Sequence, residues 1–179
     1  ALYMLKQGID LKNEAAVAEA CEEADVTIRY EDGVQMVFLN GENVNPFIRT
    51  EEVGKTASVI SAQPAVRAKL VSLQQKLAAQ SDCIMDGRDI GTCVLPKADV
   101  KIYLTASSTV RAKRRFDELT AKGQQSDFEV IKKDIEDRDY RDMHRETSPL
   151  KQAEDAVLVD TSDMDIDQVI EKLLELCSR

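Results

Sequence analysis

The sequence predicts a mixed α/β fold, a parallel sheet flanked by helices, carrying a β-rich insertion near residues 25 to 62. Three observations lead there. Short apolar runs, Cys83-Ile84-Met85, Val100 to Leu104 and Ala156 to Val159, alternate with helical patterns, which is how the buried strands of a parallel sheet read. Two alternating segments flank Glu31-Asp32-Gly33, a β-hairpin signal far from those runs. The 179 residues suit one domain with room for a sizeable core and one inserted subdomain.

The elements follow in chain order. From Ala1 to Ala24, Leu2, Leu5, Ile9, Ala16, Val17 and Ala20 recur at helical spacing, with a turn near Gly8, so two helices are expected. Val26 to Tyr30 and Val34 to Leu39 read as the hairpin strands, and Asn40-Gly41 as a second turn. Val44 to Ser61 is mixed in character. Pro64 sits where a first helical turn tolerates proline, and Val66, Leu70, Leu73 and Leu77 then predict an amphipathic helix over 64–79. After the middle apolar run, Ser107 or Ser108 caps the helix bearing Arg111 to Leu119, and Gly123 ends it. Ser126-Asp127-Phe128-Glu129 and Asp165-Ile166-Asp167-Gln168 read as capping boxes opening two more helices. No internal repeat or low-complexity linker is evident.

Composition narrows the function. Cys21, Cys83, Cys93 and Cys177 are dispersed and form no C-x-x-C pair or cluster with His144, the only histidine. This argues against a zinc site and for a reducing, cytoplasmic setting. No apolar run approaches the ~20 residues that span a bilayer. A net charge of −9 disfavours nucleic acid as a partner. Positive charge is nonetheless local, in Arg111, Lys113, Arg114 and Arg115, and in Arg138, Arg141 and Arg145. That distribution suits a small phosphorylated ligand.

Three segments carry candidate chemistry. Asp86-Gly87-Arg88-Asp89-Ile90-Gly91-Thr92 follows an expected strand, where open α/β sheets bind ligands. Its glycines permit tight backbone turns, Arg88 can fork onto a phosphate and Asp89 can accept from an amino group. An ordinary glycine-rich turn with solvated charges would read the same way. In Arg138-Asp139-Tyr140-Arg141-Asp142-Met143-His144-Arg145, spacings of three and four put the arginines on one helical face, with Asp142 four residues after Arg138. An anion site and a solvated helix with intrahelical pairs to Asp134, Glu136, Asp137 and Asp139 both explain it. Arg111-Ala112-Lys113-Arg114-Arg115 with the polar stretch Gly123 to Ser126 suits a mobile arginine-bearing lid of the kind phosphoryl transfer uses, or a basic solvated face. His144 reads as a surface residue and the cysteines as packing groups.

Taken together, I-M-D-G-R-D-I-G-T-C-V-L-P, V-K-I-Y-L-T-A-S, R-A-K-R-R and R-D-Y-R-D-M-H-R-E-T-S-P-L resemble the bacterial cytidylate kinases in order and spacing. F-L-N-G-E-N-V, I-R-T-E-E-V and Q-P-A-V-R-A resemble segments of that family's nucleoside monophosphate-binding insertion. The resemblance implies a P-loop kinase-type parallel sheet in a single domain over 1–179, with the insertion near 25–62 and a short lid near 114–130. It implies transfer of the terminal phosphate of ATP, with Mg2+, to CMP or dCMP, giving ADP and CDP or dCDP, by a cytoplasmic monomer of pyrimidine metabolism. It also implies roles. Ser58 and Asp89 match positions that hold the cytosine ring, and Arg67 and Arg88 match contacts to the base or the acceptor phosphate. Arg138 and Asp142 match a pair at the phosphate and sugar, Asp142 reading the sugar hydroxyl. Arg141 and Arg145 lie where charge develops between donor and acceptor. Arg114 and Arg115 match the lid side, near the ATP phosphates, and Asp86 an acid that orients Mg2+ through water.

The sequence departs from that pattern in one respect. It contains no G-x-x-x-x-G-K-[ST] loop and no aspartate-[ST]-G-A-x-Y-R stretch. Ala1-Leu2 matches residues just beyond the latter, so about 40 family residues are expected to precede them. This leaves a kinase for UMP or another small acceptor, and a non-catalytic nucleotide-binding remnant, as alternatives.

Overall fold

A computed structural model describes residues 1–178, and the chain divides into two compact units, Ala1–Asp82 and one that begins at Cys83. In the first unit, α1 (Leu2–Gln7) ends at Gly8, whose φ of 64° is the left-handed conformation that glycine adopts without penalty. Helix α2 (Glu14–Glu23) opens on Asn13, whose side chain accepts from the Ala16 N–H. Met4, Val17, Ala20, Cys21, Ile60 and Val66 form one buried cluster, so the apolar positions at helical spacing do converge on a core.

Strands β1 (Val26–Glu31) and β2 (Val34–Leu39) pair antiparallel, Val26 opposite Leu39 and Glu31 opposite Val34. Asp32 and Gly33 both take positive φ, 49° and 76°, the twist that a two-residue hairpin loop requires. Asn40 and Gly41 repeat this and return the chain into β3 (Glu42–Asn43), a third strand that two residues were too few to announce. The β-rich part of the 25–62 stretch stops there. Its remainder holds α3 (Glu51–Ile60), capped by Thr50, whose hydroxyl accepts from the Val53 N–H. Helix α4 (Pro64–Ala78) follows where the proline and the leucine spacing put it.

In the second unit, β4 (Ile102–Thr105) and β5 (Val157–Asp160) form a parallel pair in register, Ile102 opposite Val157 and Thr105 opposite Asp160. Two expectations are corrected here. Cys83-Ile84-Met85 is not a strand: no described segment pairs with it, and Ile84 is fully exposed. A ladder needs a hydrogen-bonded neighbour, whatever the propensity of the residues. The other two runs are strands but not deeply buried ones. Leu104 and Leu158 are 53% and 56% exposed, while Val159 is buried.

Helix α5 (Ser108–Ala121) starts at Ser107, whose hydroxyl accepts from the Val110 N–H, and Gly123 follows its end at φ 70°. Helix α6 (Phe128–His144) starts one residue later than the capping-box reading placed it. Asp127, not Ser126, accepts from the Glu129 and Val130 N–H groups. A carboxylate there satisfies the same orphan donors and also faces the positive end of the helix dipole. Helix α7 (Ile166–Cys177) has the full reciprocal box between Asp165 and Gln168. No described helix is long and apolar enough to cross a membrane.

Candidate functional site

The polar centre of the second unit is one carboxylate among three guanidiniums. Arg88 donates from Nε to Asp142 Oδ2 at 2.9 Å. Arg138 Nε lies 3.8 Å from the same oxygen, and an Arg145 terminal nitrogen lies 3.9 Å from Asp142 Oδ1. The Asp142 and Arg145 side chains are 17% and 10% exposed, whereas those of Arg88 and Arg138 are 43% and 57% exposed. The site is therefore sheltered at Asp142 and Arg145 and open at the other two arginines. Three guanidiniums gathered on one carboxylate form an arrangement that suits a phosphate.

Local sequence explains how these groups meet. Arg138 and Asp142 are one helical turn apart on α6, and Arg145 is its C-terminal cap. Beyond it the chain folds back. Arg145 donates from Nε to the Ser148 carbonyl at 2.7 Å, and the Leu150 N–H donates to the Asp142 carbonyl at 2.7 Å. Arg88 arrives from 54 residues earlier in the chain, so its part in the cluster was not legible from spacing.

The Asp86–Thr92 segment is organised differently from expectation. Ile90–Val94 form a single wide π-helical turn that begins at Asp89, a residue only 4% exposed. Such turns are uncommon and often mark functional positions. Neither Gly87 nor Gly91 takes a positive φ, so backbone freedom does not explain them. At Gly87 the constraint is steric: a Cβ would stand 3.0 Å from Ile90 Cγ1. At Gly91 a Cβ would make ordinary contact, 3.5 Å from Lys101 Cδ.

The basic run on α5 does several jobs. Arg111 is bound bidentately by Asp139 of α6, at 3.0 and 2.5 Å, and donates from Nε to the Ala106 carbonyl. The Asp139 carboxylate raises the pKa of that guanidinium. Ser108 donates to Glu136 on the same helix face at 2.8 Å. Two of the acids of α6 read as intrahelical partners, Glu136 and Asp139, thus bridge to α5 instead. Arg114 donates to the Thr161 and Met164 carbonyls in the loop after β5, and Arg115 pairs with Glu118 at 2.7 Å. Lys113 pairs with Asp117 in the same helix, as a solvated basic face would have it.

The remaining predicted residues are distributed. Arg141 is exposed and donates to the Asp137 carbonyl within its own helix, outside the Asp142 cluster. Asp86 is exposed. Ser58 on α3 is half-buried and Arg67 on α4 is buried, both in the first unit. Ser148 and Leu150, which hold the back of the cluster, were not singled out from sequence. The signal available was the T-S-P-L stretch directly after the arginine helix.

Magnesium can be weighed against these donors. No group of three or more His, Cys, Asp or Glu that could hold a metal occurs among the described residues. Asp86 alone fits only an ion that keeps its waters and is carried mainly by substrate phosphates, which is how magnesium is often bound.

A parallel β pair with flanking helices and an arginine cluster around one acid place the second unit among α/β proteins. Residues 1–179 match the family model described as Cytidylate kinase. The chain belongs to the cytidylate kinase family. It is 46% identical over 171 residues to the cytidylate kinases of Lactobacillus gasseri and Lactobacillus johnsonii, covering 96% of this chain and 74% of each relative. With the cytidylate kinase of Streptococcus pneumoniae strain Hungary19A-6 it shares 48% identity over 180 residues, covering 97% of this chain and 81% of that protein. The parallel strands and flanking helices accord with the P-loop kinase type of that family.

Proposed function

We propose that this chain provides the acceptor side of an enzyme that transfers the terminal phosphate of ATP to CMP or dCMP, giving ADP and CDP or dCDP. The observation that carries the reading is the Asp142 carboxylate held by Arg88, Arg138 and Arg145. A nucleoside monophosphate offers what such a cluster lacks: a dianionic phosphate for the guanidiniums and a sugar hydroxyl for the acid. Phosphoryl transfer asks little covalent help from protein, and a site of arginines with no nucleophile meets its need for positioning and charge stabilisation.

In this reading Arg88 and Arg138 hold the acceptor phosphate, and Asp142 accepts from the sugar hydroxyl. Arg145 and Arg141 face the charge that develops between donor and acceptor. Ser58, Arg67 and Asp89 read cytosine, where a base that left a buried partner unpaired would lose about 1–3 kcal/mol. Arg114 and Arg115 serve the donor phosphates from a lid near 114–130, exchanging their present partners in the β5–α7 loop and at Glu118 for the nucleotide. Magnesium, bound with ATP, supplies charge neutralisation between phosphates, and Asp86 orients its water. The 25–62 stretch is the acceptor-binding insertion of a single domain, and the enzyme acts as a cytoplasmic monomer in pyrimidine metabolism.

A coupled ADP-release assay with CMP, dCMP, UMP and AMP, run on the whole gene product that carries this chain, tests the proposal. CMP or dCMP should turn over best. Preference for UMP would remove the cytosine-reading roles of Ser58, Arg67 and Asp89, and no turnover with any acceptor would overturn the reading.

A further inference from the structure

Ser148 is one of three non-glycine residues with positive φ, at 50°, among the described residues. The other two, Asp32 and Asn40, sit in hairpin turns and belong to types that tolerate this conformation. Ser148 has neither excuse. It also precedes Pro149, and the residue before a proline is pushed toward extended backbone. A conformation disfavoured twice over persists only where the surroundings hold it.

What holds it is the reacting end of α6. In this conformation the Ser148 carbonyl receives the Arg145 Nε–H at 2.7 Å, and two residues on, the Leu150 N–H closes onto the Asp142 carbonyl at 2.7 Å. The first bond occupies the one guanidinium N–H that lies along the side chain. It leaves the two terminal nitrogens as the fork, one of them 3.9 Å from Asp142. The second bond satisfies a carbonyl at the helix end, which would otherwise lack a partner, on the very residue whose carboxylate centres the cluster. Extended backbone at Ser148 would swing its carbonyl away and leave Arg145 free to choose another rotamer.

We propose that Ser148 is a positioning residue: its left-handed backbone aims the guanidinium of Arg145 and braces Asp142, so that acceptor binding depends on the conformation at 148 and not on the serine hydroxyl. This rests on the nucleoside monophosphate reading of the site, but the geometry can be tested without it.

The test is a series at one position, S148G, S148A and S148V, chosen because glycine accepts positive φ freely, alanine with strain and a β-branched residue hardly at all. The first readout is the Arg145 Nε–H resonance in 15N-arginine-labelled protein without ligand. It should be slow to exchange in wild type and S148G, and fast in S148V. The second is CMP affinity by calorimetry on the same protein. S148G and S148A should both lie within about twofold of wild type, since alanine carries the same left-handed penalty as serine, and S148V, whose β-branch resists positive φ, should be weaker by about tenfold or more. Thermal midpoints run alongside, and if S148V does not fold, the Gly and Ala variants still test whether the hydroxyl is needed. A tenfold loss in both S148G and S148A would overturn the proposal, because it would make the hydroxyl the agent. An unprotected Arg145 Nε–H in wild type would overturn it too. Absence of CMP binding in wild type, with the exchange pattern as described, would instead refute the acceptor assignment and leave the positioning by Ser148 standing.

Discussion

Replacing Asp142 by alanine is the most informative perturbation, because the structure predicts opposite effects on two parts of one ligand. The Arg138 and Arg145 pairs, at about 4 Å, are each worth at most ~4 kcal/mol before desolvation is subtracted, with an effective dielectric near 20. Arg88 and Arg138 are substantially exposed, so solvent screens their share, and the sheltered Arg145 feels the loss most. Without Asp142 the three guanidiniums lose the carboxylate that they share. A phosphate should therefore bind more tightly to Asp142→Ala than to wild type. The sugar hydroxyl loses a charged acceptor worth about 1.5–3 kcal/mol, a factor of about 10 to 150. The net expectation is that KM for CMP rises about tenfold, because the phosphate gain offsets part of the sugar loss. Inhibition by inorganic phosphate should strengthen, and KM for ATP should stay within about twofold, since the cluster is assigned to the acceptor. The assay is a steady-state coupled assay on the whole gene product, varying each substrate and phosphate in turn, with thermal melting as a control for folding. Equal rises in the KM of ATP and CMP, or weaker inhibition by phosphate, would refute the assignment of Asp142 to the sugar and of the arginines to the acceptor phosphate.

Four further outcomes are expected. Either Arg111→Ala or Asp139→Ala should destabilise the second unit by about 1–2 kcal/mol in denaturant titration, since each breaks a partly shielded bidentate pair between α5 and α6; a double variant should cost less than the sum. Asp160 is held below the usual aspartate range by the Ser162 hydroxyl and N–H. A lowered folded-state pKa gives stability that is present above the unfolded value, about 3.9, and lost as pH falls through the lowered one. The melting temperature of wild type should therefore approach that of Asp160→Asn in acid and exceed it at neutral pH. Gly87→Ala should destabilise more than Gly91→Ala in thermal melts, because only the former drives a Cβ against Ile90. Ser126→Ala should be neutral or stabilising by the same measurement, since its buried hydroxyl has no partner and burying an unpaired hydroxyl is costly.

Local signals carried much of the fold. Turn chemistry at Asp32-Gly33 and Asn40-Gly41, the N-terminal proline of α4 and the Asp165–Gln168 box depend on residues within a few positions, and each appears where expected. The misses depend on more than propensity. Cys83-Ile84-Met85 has strand-like residues but no pairing partner among the described residues. Helix α3 was hidden because Val53, Thr56 and Ile60, its buried face, include a threonine, which blurs the apolar period. At the start of α6, Ser126 and Asp127 are both competent caps, and the choice of Asp127 follows from which oxygen reaches the N–H groups.

The candidate site shows the same limit in sharper form. Spacing placed Arg138, Arg141, Asp142 and Arg145 on α6 but could not choose between an anion site and a helix neutralised by its own acids. The choice lies in which partner each acid takes. Asp139 pairs with Arg111 on α5 and Glu136 accepts from Ser108, while Asp142 lies beside Arg138 and Arg145. Arg88, brought in from a distant loop, then adds a third cation at Asp142. A helix with acids as close in sequence as these could have neutralised itself. Arg88 reaches Asp142 from 54 residues earlier in the chain, so the arrangement at Asp142 is a product of the tertiary fold and not of helix spacing alone, and replacing Arg88 by alanine should remove one positive charge from the site.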